Sequence, residues 1–178
     1  VFKENGAFIN TGEPDFIKDL DDLPFPARHL VPYQKYNSLL AHKGPVTTLF
    51  SSRGCPYKCT FCYRPNMGKI FRSVSPRIVV DEMELCQRLG IKEIFFYDDT
   101  FTVNKKRVIE ICREIVNRRL NIRWDIRTRI DNINREMLIM LKKANCQRIH
   151  YGVEAGTAKI QQVLEKEIDL KCAIEVFR

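Results

Sequence analysis

Three cysteines fall within eight residues, in Cys55-Pro56-Tyr57-Lys58-Cys59-Thr60-Phe61-Cys62. Thiolates are soft ligands for iron-sulfur clusters, zinc or copper(I), and intervals of three and then two residues let one short loop wrap one small centre. The count of three is informative. A cubane of four irons held by three thiolates keeps one iron open to a small molecule, whereas a structural zinc site wants a closed set of four ligands. Zinc with His42 or Cys86 as the fourth ligand is the competing reading, weakened by the lack of a second short-range Cys or His pair.

A cysteine loop needs a scaffold, and the flanking sequence supplies one. An apolar run from Val46 to Phe50 and a Ser51-Ser52-Arg53-Gly54 break precede it, so a strand feeds the loop. A βα rhythm follows. Ser75 and Pro76 open a helix with a core stripe of Val79, Met83, Cys86 and Leu89, closed by Gly90. Glu93 to Tyr97 reads as a strand buried on both faces, and Asn104 caps a helix carrying Val108, Ile111, Cys112, Ile115 and Val116. A third strand, Ile122 to Thr128, leads to a helix opened by Asn134 with Met137, Leu138 and Leu141 inward, stopped at Asn145. Arg148 to Val153 is the fourth strand; Thr157 caps a helix through Ile160, Val163 and Leu164, and Asp169 starts another. Parallel neighbours joined by right-handed crossovers curl toward a barrel, whose sites collect where strands end.

Alternation along the strands separates lumen from helix side. On the third strand Trp124 and Ile126 belong against helices, leaving Asp125, Arg127 and Arg129 inside; on the fourth, Arg148, His150, Gly152 and Glu154 oppose Ile149, Tyr151 and Val153. A charged lumen suits a pocket for a charged ligand better than a packed core. For Arg127 and Arg129, an ion pair to Asp125 or Glu154 competes with a ligand carboxylate. His150 alone reads as an interior histidine.

With its Cys-x-x-x-Cys-x-x-Cys spacing, Phe61 before the last cysteine and a preceding strand, the chain resembles the radical S-adenosylmethionine (radical SAM) superfamily. The resemblance implies an α/β fold, a partial parallel (β/α) barrel truncated to the four βα units visible here, with an irregular N-terminal extension. It implies a [4Fe-4S] cluster on Cys55, Cys59 and Cys62, whose open iron binds SAM and whose electron releases a 5′-deoxyadenosyl radical. Asp98-Asp99 stands where much of the superfamily has a Gly-Gly-Glu-like segment holding the amino group of SAM. Gly152-Val153-Glu154-Ala155-Gly156-Thr157 is similar to an element in which a polar residue meets the ribose or methionine part. The expected contacts to SAM are therefore Phe61, Asp98, Asp99, Arg127, Arg129 and Glu154. The acidic pair, the latter element and the linker-like stretch Ile17 to Arg28 look most like the cobalamin-associated branch. That branch carries a cobalamin-binding domain upstream, and its members methylate unactivated carbons, close rings or rearrange substrates.

The remaining expectations come from composition. Residues 1–44, rich in Pro and Gly, read as a linker extension with a short hairpin around Phe8 to Thr11; residues 45–178 read as the amino-terminal part of the core domain, cut from something longer. Seven cysteines, an odd number, indicate a reducing compartment, the cytoplasm, with Cys86, Cys112, Cys146 and Cys172 as small buried hydrophobes. No apolar run approaches the ~20 residues of a membrane-spanning helix. Residues 1–40 carry four basic and six acidic side chains, leaving 26 against 16 from Ala41 onward. The surplus suits solvated helix faces or an acidic electron donor such as flavodoxin or ferredoxin, and gives nucleic acid only weak support because no aromatics are interleaved. The open edge of the last strand invites pairing with a second copy.

Overall fold

The computed structural model describes residues 1–12, 15–42, 44–63 and 68–177. It opens with an antiparallel hairpin, β1 (Phe2–Glu4) and β2 (Ala7–Ile9). The expected hairpin around Phe8 to Thr11 is displaced toward the N-terminus. Its turn is Asn5-Gly6, with φ of 48° and 84°, the pair of left-handed residues that a two-residue hairpin favours. Two 3-10 turns, Arg28–Leu30 and Tyr33–Lys35, then run along the barrel wall.

The chain next forms β3 (Val46–Leu49), a two-residue pair β4 (Ser52–Arg53) and β5 (Arg72–Ser73), helix α1 (Pro76–Arg88), and β6 (Glu93–Phe96). Helix α2 (Lys105–Asn117), β7 (Arg123–Arg129), a 3-10 turn at Ile130–Asn132, α3 (Arg135–Lys143) and β8 (Cys146–Gly152) follow. Short helices α4 (Ala158–Val163) and α5 (Leu170–Val176) end the described chain. Strands β3, β6, β7 and β8 pair in parallel, each beside its sequence neighbour. This is the α/β, partial (β/α)-barrel architecture, and its strands bring their carboxyl ends to one rim. Among the described residues no helix is long and apolar enough to cross a membrane.

The helices form because their apolar positions recur on one face and their first turns are capped. Asn104, Asn134 and Thr157 accept hydrogen bonds from the backbone N–H three residues on, satisfying donors that a helix start leaves open. Val79, Val80 and Met83 of α1, Val108, Ile111 and Ile115 of α2, and Met137 and Leu141 of α3 pack against Ile94, Phe96, Trp124 and Ile126 of the sheet. Each such burial contributes ~1.5–3 kcal/mol relative to exposure. Phe96, Phe101 and Trp124 meet at centroid distances of 5.0–5.8 Å, and Trp124 Nε1 donates to Ala144 O at 2.7 Å. Two apolar positions depart from expectation. Ile160 and Val163 of α4 are exposed, because the inward place is taken by Gln161, whose amide donates to Val153 O and Ala155 O at 2.6 and 2.8 Å.

The N-terminal segment is fastened to the barrel. Arg28 pairs with Glu82 of α1 at 2.6 Å, Tyr33 donates to Leu89 O at 3.1 Å, and Asp21 accepts from Ser75 N at 2.7 Å.

Candidate active site

The ends of the cysteine loop are clamped where Ser52 pairs with Ser73 and Arg53 with Arg72, and Gly54, at φ 82°, makes the sharp entry to Cys55. Within the loop Cys62 N donates to Cys59 O at 3.2 Å. The loop is docked sideways as well: Thr60 N donates to Leu164 O at 3.0 Å, and Tyr57 donates to Asn132 at 2.8 Å. Cys55, Cys59, Cys62 and Phe61 thereby line a cavity of ≈ 380 Å³ at the strand-end rim. Arg127, Arg129, His150, Gly152 and Glu154 line the same cavity from β7, β8 and the turn beyond.

The candidate fourth zinc ligands lie elsewhere. Cys86 is fully buried in the core, where burial pushes its thiol up to about 11. The backbone N–H of His42 donates to Glu93 at the start of β6, opposite the cysteine rim. Among the described residues the soft donors at the cavity are three thiols from one loop, with Asp99, His150 and Glu154 also in its lining, and three thiols from one loop fit a cluster with one open iron.

The acidic pair divides. Asp99 is exposed and lines the cavity, whereas Asp98 is 1 % exposed and is absent from the lining. Asp98 Oδ1 accepts from Ser51 N at 2.7 Å, and its Oδ2 accepts from the Ser51 and Ser52 hydroxyls at 2.6 and 2.5 Å. Burial raises the pKa of Asp98, against the hydrogen bonds of Ser51 and Ser52 and the nearby Arg107. Arg107, its own pKa lowered by burial, donates to Ser51 O at 2.7 Å and Val74 O at 2.8 Å, tying the strand end to α2.

The two arginines differ equally. Arg127 is exposed, its guanidinium 3.8 Å from the centre of the Tyr97 ring, and among the described residues no carboxylate pairs with it. Arg129 is 7 % exposed and fully engaged. Its ion-pair partner is Asp131, at 3.0 and 2.6 Å, in place of the expected Asp125 or Glu154. It also donates to Lys166 O at 2.6 Å, lies 4.1 Å over Tyr57, and has Nη1 3.8 Å from Cys59 Sγ. Asp125, with its pKa raised by burial, instead meets Arg148 at 3.2 Å and His150 at 3.3 Å.

Glu154 stands at φ 65°, a left-handed conformation that costs a non-glycine residue about 1–2 kcal/mol. It pairs with Lys166 at 2.9 Å, and Lys166, 7 % exposed, places its ammonium 5.6 Å from the centre of the Phe61 ring. Gly152 makes room for the pair: a Cβ there would stand 2.5 Å from Glu154 Oε1 and 2.7 Å from Lys166 Nζ. Lys166, Tyr57 and Thr100 escaped the sequence reading. Thr100 touches Cys55 Sγ at 3.6 Å. Lys166 lies between two glutamates beyond a short helix, where a charged residue reads as solvated surface, and no local pattern marks it.

Comparison with known proteins agrees with this geometry. The family model described as the radical SAM superfamily matches residues 49–178. An uncharacterized methyltransferase of Pyrococcus horikoshii is 34 % identical over 99 % of this chain and 38 % of its own length. The anaerobic magnesium-protoporphyrin IX monomethyl ester cyclase of Rubrivivax gelatinosus is 29 % identical over 98 % of this chain and 32 % of its own. The chain thus spans about a third of the length of these relatives. Among solved structures, the radical SAM methyltransferase TsrM of Kitasatospora setae matches 74 % of this chain and 27 % of its own, with TM-score 0.67 and 23 % identity, a likeness of fold. The cobalamin-dependent SAM radical enzyme OxsB matches 74 % of this chain and 21 % of its own, with TM-score 0.65 and 26 % identity. The cysteine-lined rim and the matched span agree, and this chain belongs to the radical SAM superfamily.

Proposed function

We propose that this chain binds a [4Fe-4S] cluster through Cys55, Cys59 and Cys62, holds SAM in the adjoining cavity and serves a radical SAM enzyme in its reductive cleavage. The observation that carries the reading is that all three cysteines line one cavity, together with Arg127, Asp99 and Glu154. The cluster, when bound, supplies the electron that breaks the sulfonium bond of SAM and releases a 5′-deoxyadenosyl radical.

The chain's own residues bind and orient. Arg127, which pairs with no carboxylate among the described residues, takes the SAM carboxylate, while Arg129 is committed to Asp131. Asp99 complements the SAM ammonium, and Glu154, held by Lys166, faces the ribose or methionine part. Phe61 flanks the adenine. Asp98 acts from behind, fixing Ser51 and Ser52 and so the entry to the loop. On this reading residues 45–178 are the first part of the core domain and 1–44 its lead-in. The relatives support a methylation, or another radical transformation, linked to cobalamin held by an upstream domain; one is named a methyltransferase and another is described as cobalamin-dependent.

Anaerobic reconstitution with iron and sulfide, iron counting and electron paramagnetic resonance of the reduced protein with and without SAM test the proposal. About four irons per chain and a spectrum that shifts with SAM are expected, and C59A should lose the cluster yet keep its fold. One zinc, no iron and an unresponsive spectrum would overturn it.

A further inference from the structure

Arg129 is placed for a task beyond holding the wall. Its guanidinium is fixed on three sides: Nε and Nη2 grip both oxygens of Asp131, Nη2 also reaches Lys166 O, and the plane lies over Tyr57. The group left over, Nη1, points at Cys59 Sγ from 3.8 Å. A flexible surface arginine would not keep such an aim; this one is 7 % exposed, and its partners sit on three separate segments.

We propose that Arg129 tunes the cluster, its Nη1 donating to the Cys59 sulfur and favouring the reduced state. A cluster gains negative charge on reduction, and that charge is shared with its sulfur ligands, so a fixed N–H donor there stabilises the reduced form and raises the midpoint potential. Asp131 offsets most of the arginine's net charge, so the effect comes from the oriented N–H and not from a nearby cation alone. The backbone of Lys166 helps hold the donor while its ammonium holds Glu154, so one short segment braces both the cysteine and the cavity side of the site.

The inference rests on the cluster reading, and the experiment separates the two. The wild-type chain, R129Q and R129K are reconstituted, their iron is counted, and their midpoints are measured by redox titration followed by electron paramagnetic resonance, without SAM. R129Q should keep its iron and titrate at a more negative potential, with R129K between, because lysine restores charge but not the braced fork. Equal midpoints at equal iron would overturn the inference. Loss of iron from both variants with helical content intact would also overturn it, leaving Arg129 a purely structural role. A wild-type chain that takes up no iron removes the cluster reading itself, and this inference with it.

Discussion

Residues that share the cavity do so under visible constraints, and Gly152 is the sharpest. The atoms a Cβ would meet there are the tips of two flexible side chains, Glu154 and Lys166, and the backbone at Gly152 is not left-handed. The fold can therefore yield cheaply, but the ion pair cannot stay as it is. G152A is expected to change stability by less than about 1 kcal/mol, while SAM affinity falls about tenfold as Glu154 is displaced. Thermal unfolding and equilibrium SAM binding of the reconstituted chain check both halves, and an unchanged affinity would remove Glu154 from the SAM site. Spacing or strand parity points the cysteines, Arg127 and Glu154 toward the cavity they line, and the family resemblance points to Asp99. Lys166 was not legible in the sequence, since its burial depends on how α4 ends and on left-handed Glu165 and Glu167 around it.

Elements position these residues, and Asp98 shows how. It joins the end of β6 to the turn after β3, and three donors depend on one carboxyl. D98A would orphan all three and is expected to cost about 3 kcal/mol, read as a lower denaturant midpoint at constant slope. D98N keeps an acceptor for Ser51 N and should cost much less. Burial raises the folded pKa of Asp98 above its unfolded value, so its contribution is fully present below the unfolded carboxylate range and is lost as pH rises through the folded value. D98N should flatten that slope; a slope unchanged from wild type would assign it to other groups. The four parallel strands and the helices were legible from periodicity and caps, within a residue or two at their ends, whereas the hairpin lies nearer the N-terminus than expected and the β4–β5 pair left no signal. The pairing of Arg129 with Asp131 was not legible, because Asp131 lies in a 3-10 turn beyond the strand whose parity guided the reading. The exposed Ile160 and Val163 mark the same limit: a six-residue helix turns its inward position over to a glutamine through tertiary contacts that periodicity does not encode.

The whole molecule depends on whether its first 44 residues are lead or part of the fold. Composition made them a linker, yet Leu20 and Tyr33 are buried, and Tyr36 O and the Arg28 guanidinium bond Val46 N and Thr48 O of β3. Arg28, 6 % exposed, ties its own 3-10 turn to two elements: it pairs with Glu82 of α1, itself 14 % exposed, and reaches Thr47 and Thr48 of β3. Removing one partner of a buried pair costs about 3–5 kcal/mol, because the other charge stays behind without solvent. The exposed Arg88–Glu84 pair on α1 is the natural control, where loss costs at most about 0.5 kcal/mol. Trp124, the single tryptophan, is buried between sheet and α3 and reports the core alone. If the segment is integral, R28A should lower the midpoint of the Trp124 fluorescence transition well beyond R88A, in one cooperative step. If it is a tether, that transition would stay in place while only backbone amides that bond within or to the segment, such as Val46 N on Tyr36 O, exchange faster. The depth at which Arg28 lies favours the first outcome.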